Sequence, residues 1–122
     1  MATIDLTADT FENAIADNPI VLVDWWASWS GPCRMFAPVF QAASLAHSDV
    51  MFAKVDTEKQ RALARSAQIT SIPTLMAFRD GILVFSRPGA QNAAGLEQIV
   101  AAVQKLDMDD VRAQVAAHRT TV

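Results

Sequence analysis

Cysteine is nearly missing from this chain: Cys33 is the one thiol among 122 residues. A single thiol closes no intrachain disulfide, which excludes a disulfide-stapled scaffold and a complete dithiol redox pair. The same count excludes a CxxC metal site. Positive charge is also in short supply, with ten Lys and Arg against thirteen Asp and Glu and a net charge of −3. Nucleic-acid binding therefore loses its usual electrostatic footprint, and no nucleic-acid partner is expected. Long apolar runs are lacking. The densest, Ile20 to Ala27, is broken by Asp24 and falls far short of the roughly 20 residues a membrane helix needs. The start, Met1-Ala2-Thr3-Ile4-Asp5, is acidic and leads into no apolar stretch of the export type. A soluble cytoplasmic protein, with no membrane partner, is the expectation. His47 and His118 are distant in sequence and join no ligand-spaced cluster, so no metal site is expected. No Gly-rich phosphate loop and no Ser-His-Asp arrangement is legible.

What is present is enough for one packed domain over residues 1–122: 52% hydrophobic and 19% charged residues. Short apolar runs alternate with stretches of helical period. Thr7 to Asp17 opens with capping types and places Phe11, Ala14 and Ile15 on one helical face. Ile20 to Val23 is short and continuously apolar, a strand buried on both faces. From Arg34 to His47, Phe36, Val39, Phe40 and Ala43 recur at helical spacing, with Pro38 inside the helix as a source of kinking. Val50 to Val55 is the next strand, and Glu58 to Gln68 a weaker helix. Thr74 to Phe78 and Ile82 to Phe85 flank Arg79-Asp80-Gly81, a hairpin signal. Leu96, Ile99, Val100 and Val103 mark a long helix, and Asp107 to Arg119 a shorter one whose charges suit the helix dipole. A first short strand fits near Thr3 to Leu6. Strands separated by helices imply parallel crossovers, and the hairpin adds an antiparallel edge. The fold class is α/β with a mixed sheet. The five methionines read as core filler.

Residues 22 to 40 run Leu-Val-Asp-Trp-Trp-Ala-Ser-Trp-Ser-Gly-Pro-Cys-Arg-Met-Phe-Ala-Pro-Val-Phe. With Ala53-Lys54-Val55-Asp56, Ser71-Ile72-Pro73-Thr74-Leu75, Phe78-Arg79-Asp80-Gly81 and Gly89, this succession of motifs closely resembles the thioredoxins. The resemblance covers about residues 3 to 105. It implies a thioredoxin-like fold, a central mixed sheet flanked by helices, with residues 106–122 as a short helical C-terminal extension. Family function is the reduction of protein disulfides, with electrons from thioredoxin reductase, an NADPH-dependent flavoprotein. No bound cofactor is implied, and the expected form is a monomer.

One position departs from the family pattern. Ser30 stands where thioredoxins carry the first cysteine, whose thiolate attacks a substrate disulfide before the second cysteine resolves the mixed disulfide. A serine hydroxyl is too weak an acid to be ionised appreciably at a helix N-terminus, and it forms no disulfide. It can cap the helix. Two explanations stand: a Cys→Ser substitution in an otherwise ordinary thioredoxin, favoured because the rest of the site matches, or a natural variant that gave up dithiol chemistry. Either way, little or no turnover is expected. As a hydrolase nucleophile Ser30 lacks a nearby His and the Gly-x-Ser-x-Gly elbow.

The resemblance makes Cys33 the resolving thiol; by residue type alone it is as readily a small buried hydrophobe. Asp24, a carboxylate inside an apolar run, is either buried with a raised pKa or a strand-end group facing water. The family match makes it a general base for Cys33, with Lys54 beside it; an outward-facing strand lysine carries nearly equal weight. Trp29 resembles the tryptophan that shields the site and contacts partners. Trp25 and Trp26 are core or supporting residues. Gly31 and Pro32 set the turn into the helix. Ile72-Pro73 resembles a cis-proline loop facing the site, against the ordinary alternative of a trans proline opening a strand. Gly89 matches a glycine on a third loop of the same substrate groove, or is a turn residue. A redox-independent binding module and slow monothiol exchange through Cys33 are the competing functions. Whether the extension docks through Leu106, Val111 and Val115 or serves a partner is left open.

Overall fold

The structure is a computed structural model that describes residues 2–120; Met1, Thr121 and Val122 lie outside the described residues. Five strands form one sheet in the order β1-β3-β2-β4-β5. They are β1 (Ile4–Asp5), β2 (Ile20–Trp26), β3 (Met51–Asp56), β4 (Thr74–Arg79) and β5 (Ile82–Pro88). The β1–β3 and β3–β2 pairs are parallel, whereas β2–β4 and β4–β5 are antiparallel. The helices are α1 (Phe11–Asp17), α2 (Gly31–Ala46), α3 (Arg61–Ser66), α4 (Ala93–Gln104) and α5 (Met108–Thr120).

Successive side chains of a strand leave opposite faces of a sheet, and β2 shows why its sequence is apolar throughout. Ile20 and Leu22 join Phe52, Leu75 and Ala77 beneath Phe36 and Phe40 of α2 and Leu96 and Val100 of α4. Val21, Val23 and Trp25 turn the other way, toward Ile15 of α1 and Ala64 of α3. The central strand thus has no solvent face on which to place polar residues. The hairpin between β4 and β5 turns on Asp80 and Gly81, with φ of 52° and 81°. Two consecutive left-handed residues match the right-handed twist of the flanking strands, which is why Asp-Gly carries the turn.

Two helices are shorter than their sequence pattern. The helix expected from Thr7 begins at Phe11, because Thr10 Oγ1 accepts the Thr7 N–H at 2.9 Å and holds the preceding residues as a turn. The helix expected from Glu58 begins at Arg61. There Asp56 Oδ1 accepts the N–H groups of Glu58 (2.9 Å) and Lys59 (3.2 Å), diverting the chain into an Asx-type turn. Helix α2 continues through Pro38, whose missing N–H leaves the Arg34 carbonyl without its helical partner. The methionines are not all core filler: Met76 and Met108 are buried, but Met35 is 74% exposed because it lies on the outward side of α2 from Cys33 and Phe36.

The extension docks. Met108 is buried, and Leu106, Val111 and Val115 are half-buried. Arg112 of α5 reaches Asp80 of the hairpin at 3.6 Å. Arg79 Nη1 donates to the carbonyls of Val103, Gln104 and Leu106 at 2.7, 3.0 and 3.2 Å, tying the end of α4 to the sheet.

Candidate functional site

Three loops meet at one end of the sheet. Trp25 near the end of β2 lies opposite Thr74 at the start of β4, and Thr74 lies opposite Pro88 at the end of β5. The segment running from Trp26 into α2, the loop before β4 and the loop after β5 therefore emerge side by side. The Ile72–Pro73 peptide is cis. Gly89, at a φ of 102° that favours glycine, donates its N–H to the Pro73 carbonyl at 2.8 Å. Thr74 Oγ1 donates to the Ser71 carbonyl at 2.6 Å, closing the loop on its other side.

Ser30 caps α2. Its backbone is extended, and its Oγ accepts the Cys33 N–H at 3.3 Å, satisfying one of the free donors at the helix start. Gly31 and Pro32 form the first positions of the helix, where proline loses nothing because its N–H would have no helical partner. Ser30 and Cys33 are both buried, at 4% and 2% exposure, whereas Trp29 is 67% exposed. Trp29 faces Ile72 across a cavity of about 290 Å³ that also reaches Thr57 and Ile69. Arg34 Nη1 donates to the Ser28 carbonyl at 3.0 Å and fixes the loop leading into the cap.

Beneath this rim sits Asp24, with no exposed surface. Among the described residues, neither of its carboxylate oxygens has a hydrogen-bond partner. Burial disfavours the charged form and pushes its pKa up to about 7, while the positive charge of Lys54 pulls it down in part. Lys54 is the cross-strand neighbour of Asp24 on β3, and its Nζ lies 4.7 Å from the centre of the Trp26 ring. Asp24 is thus the buried carboxyl of the two sequence alternatives, and Lys54 a half-buried partner rather than an outward-facing lysine. Trp25 is a core residue packed 5.6 Å from Phe11.

The residues singled out in the sequence therefore fall into four connected groups: Trp29 with Ile72 across a cavity, Pro73 with Gly89 through a backbone bond, Asp24 with Lys54 across strands, and Ser30, Gly31, Pro32 and Cys33 at one helix start. Among the described residues no group of three or more His, Cys, Asp or Glu side chains is placed to hold a metal ion. Sequence reasoning gave no role to Arg34 or Thr74, although both stand inside quoted motifs; their contacts are to carbonyls that no residue pattern marks.

The sequence profile of the family described as Thioredoxin matches residues 2–102. The chain belongs to the thioredoxin family. It is 47% identical over 115 residues to the Putative thioredoxin 2 of Streptomyces coelicolor, spanning 94% of this chain and 86% of that protein. It is 41% identical over 96 residues to the Bifunctional thioredoxin reductase/thioredoxin of Mycobacterium leprae, spanning 77% of this chain and 21% of that protein. The solved structure of Plasmodium falciparum thioredoxin superposes with a TM-score of 0.77 at 31% identity, covering 82% of this chain and 98% of that one. The mixed five-stranded sheet is thus the thioredoxin fold, and the family is one of thiol-disulfide oxidoreductases.

Proposed function

We propose that this chain presents the substrate-binding rim of a thioredoxin without the nucleophile that drives turnover. One observation carries the reading: the Ser30 hydroxyl occupies the cap of α2, where it accepts the Cys33 N–H. That is the position from which the family's first cysteine attacks a substrate disulfide. A hydroxyl there is neither ionised at neutral pH nor able to form a sulfur–sulfur bond. Trp29, Gly31, Pro32, Ile72, Pro73 and Gly89 form the rim that receives an extended disulfide-bearing protein segment. Asp24 serves Cys33 as a proton acceptor, poised by its pKa near 7. Thioredoxin reductase is the proposed electron donor for the form with a cysteine at position 30; the reductase–thioredoxin fusion named above supports that pairing. The setting is a reducing cytoplasm, the protein acts as a monomer, and it uses no bound cofactor.

The second reading is a binding module that uses the same rim for recognition alone, favoured by the exposed Trp29 and the cavity beside it. Slow exchange through Cys33 as a single thiol is a third, opposed by its burial. The deciding measurement is NADPH-coupled reduction of a protein disulfide with thioredoxin reductase present, run on this chain and on Ser30→Cys. Turnover by Ser30→Cys alone is the expected result. No turnover by either, with both folded and the reductase competent, would favour the binding module. Turnover by the serine form would overturn the proposal.

A further inference from the structure

Away from the rim, the edge strand β5 is flanked by two adjacent apolar cavities. One, of about 280 Å³, lies between β5 and α4 and is lined by Val84, Phe85, Ile99, Ala102 and Leu106 among others. The other, of about 620 Å³, lies between β5 and α5 and is lined by Ile82, Val84, Leu106, Val111 and Val115 among others. Val84 and Leu106 line both, so the two cavities lie next to each other and together make a trough along β5. A register shift explains its floor. Ala77 lies opposite Phe85 and Phe78 opposite Leu83, which leaves Val84 without a partner on β4. This bulge lets two consecutive residues, Val84 and Phe85, line the same side of an edge strand.

We propose that this trough binds an acidic amphipathic helix of a partner protein. Three features select that occupant. First, the unmatched Val84 breaks the regular ladder that an added β-strand would need. Second, both cavities are open to solvent, whereas small-molecule sites enclose about 70–90% of their ligand. The run from Ile82 to Arg87 spans about 17 Å, matching about three turns of a helix laid in a groove. Third, the charge of the lining is one-sided. Arg87 lines the α4 cavity, Arg119 lines the α5 cavity, and among the described lining residues none is acidic. Of the nearby acids, Asp80 and Asp109 face Arg112, Asp107 accepts the Asp110 N–H, and Asp110 accepts from Gln114. In a chain of net charge −3, the charged side chains among the described residues lining these two apolar cavities are both arginines.

The test uses a fluorescein-labelled synthetic helix of about 16 residues, apolar at i, i+3, i+4 and i+7 and Glu elsewhere, titrated with the full chain by anisotropy. A second peptide keeps the apolar residues and replaces Glu by Lys. The acidic peptide is expected to bind saturably and at least about tenfold more tightly than the basic one. The double variant Arg87→Glu/Arg119→Glu should narrow or reverse that preference. Ala102→Glu, at an exposed α4 position inside the trough, should weaken binding of the acidic peptide about tenfold or more while far-UV circular dichroism confirms the fold. Equal binding of both peptides, no binding up to about 1 mM, or binding indifferent to Ala102→Glu would each overturn the proposal. So would concentration-dependent self-association abolished by Ala102→Glu, which would make a second copy the occupant.

Discussion

Asp24 is held at a cost that depends on pH. Its folded pKa is about 7 against an ordinary 3.8, so the folded protein keeps a proton that the unfolded chain releases between those values. Stability therefore falls as pH rises from about 4 to about 7, by an amount on the order of 4 kcal/mol, and stays at that lower level above pH 7. Asp24→Asn should accordingly raise the melting temperature at pH 8, with the gain vanishing near pH 4; a gain of equal size at both pH values would refute the assignment. Lys54 lowers the same pKa, so Lys54→Met should move the Asp24 titration upward when the carboxyl is followed by NMR. An aspartate inside an apolar run was legible as a problem in the sequence. That Lys54 is its neighbour was implied by the family resemblance alone, and that both oxygens lack partners among the described residues depended on tertiary packing, which no local pattern specifies.

Among the elements, the ends of α4 and α5 show where residue type under-reports structure. Arg79 reads as an ordinary hairpin residue, yet its guanidinium serves three carbonyls at the end of α4. These are groups a helix cannot satisfy internally. Arg79→Met should cost about 1.5–3 kcal/mol in urea unfolding, the range for hydrogen bonds to a charged group. In α5 the candidate anchors Val111 and Val115, whose docking the sequence left open, are half-buried, and Met108 is the buried one. Met108→Ala should cost about 2 kcal/mol or more, and removing residues 107–122 should lower the melting temperature. An unchanged melting temperature after that deletion would mean that the docking of α5 contributes nothing to stability. Strand and helix identities followed from periodicity because burial imposes it. Boundaries at Thr10 and Asp56 did not, since single side-chain hydrogen bonds set them.

For the molecule as a whole, the two apolar clusters share β2, β3 and β4, so neither face of the sheet can lose its helices without exposing strands that the other face needs. Unfolding should be a single cooperative transition, with tryptophan fluorescence and far-UV circular dichroism curves in urea superimposing. Separated curves would show that the two faces melt independently. The fold was legible because several short motifs recur in one order along most of the chain. The β5 bulge and its trough were not, since both arise where β5, α4 and α5 meet. The burial of Cys33 has one last consequence. A chain with a single thiol at 2% exposure carries its own clock: a maleimide reacts only when that region opens, and no second cysteine competes or closes a bond. Labelling rates across denaturant concentrations would convert the sulfur that has lost its family partner into a direct reading of how often this end of the protein comes apart.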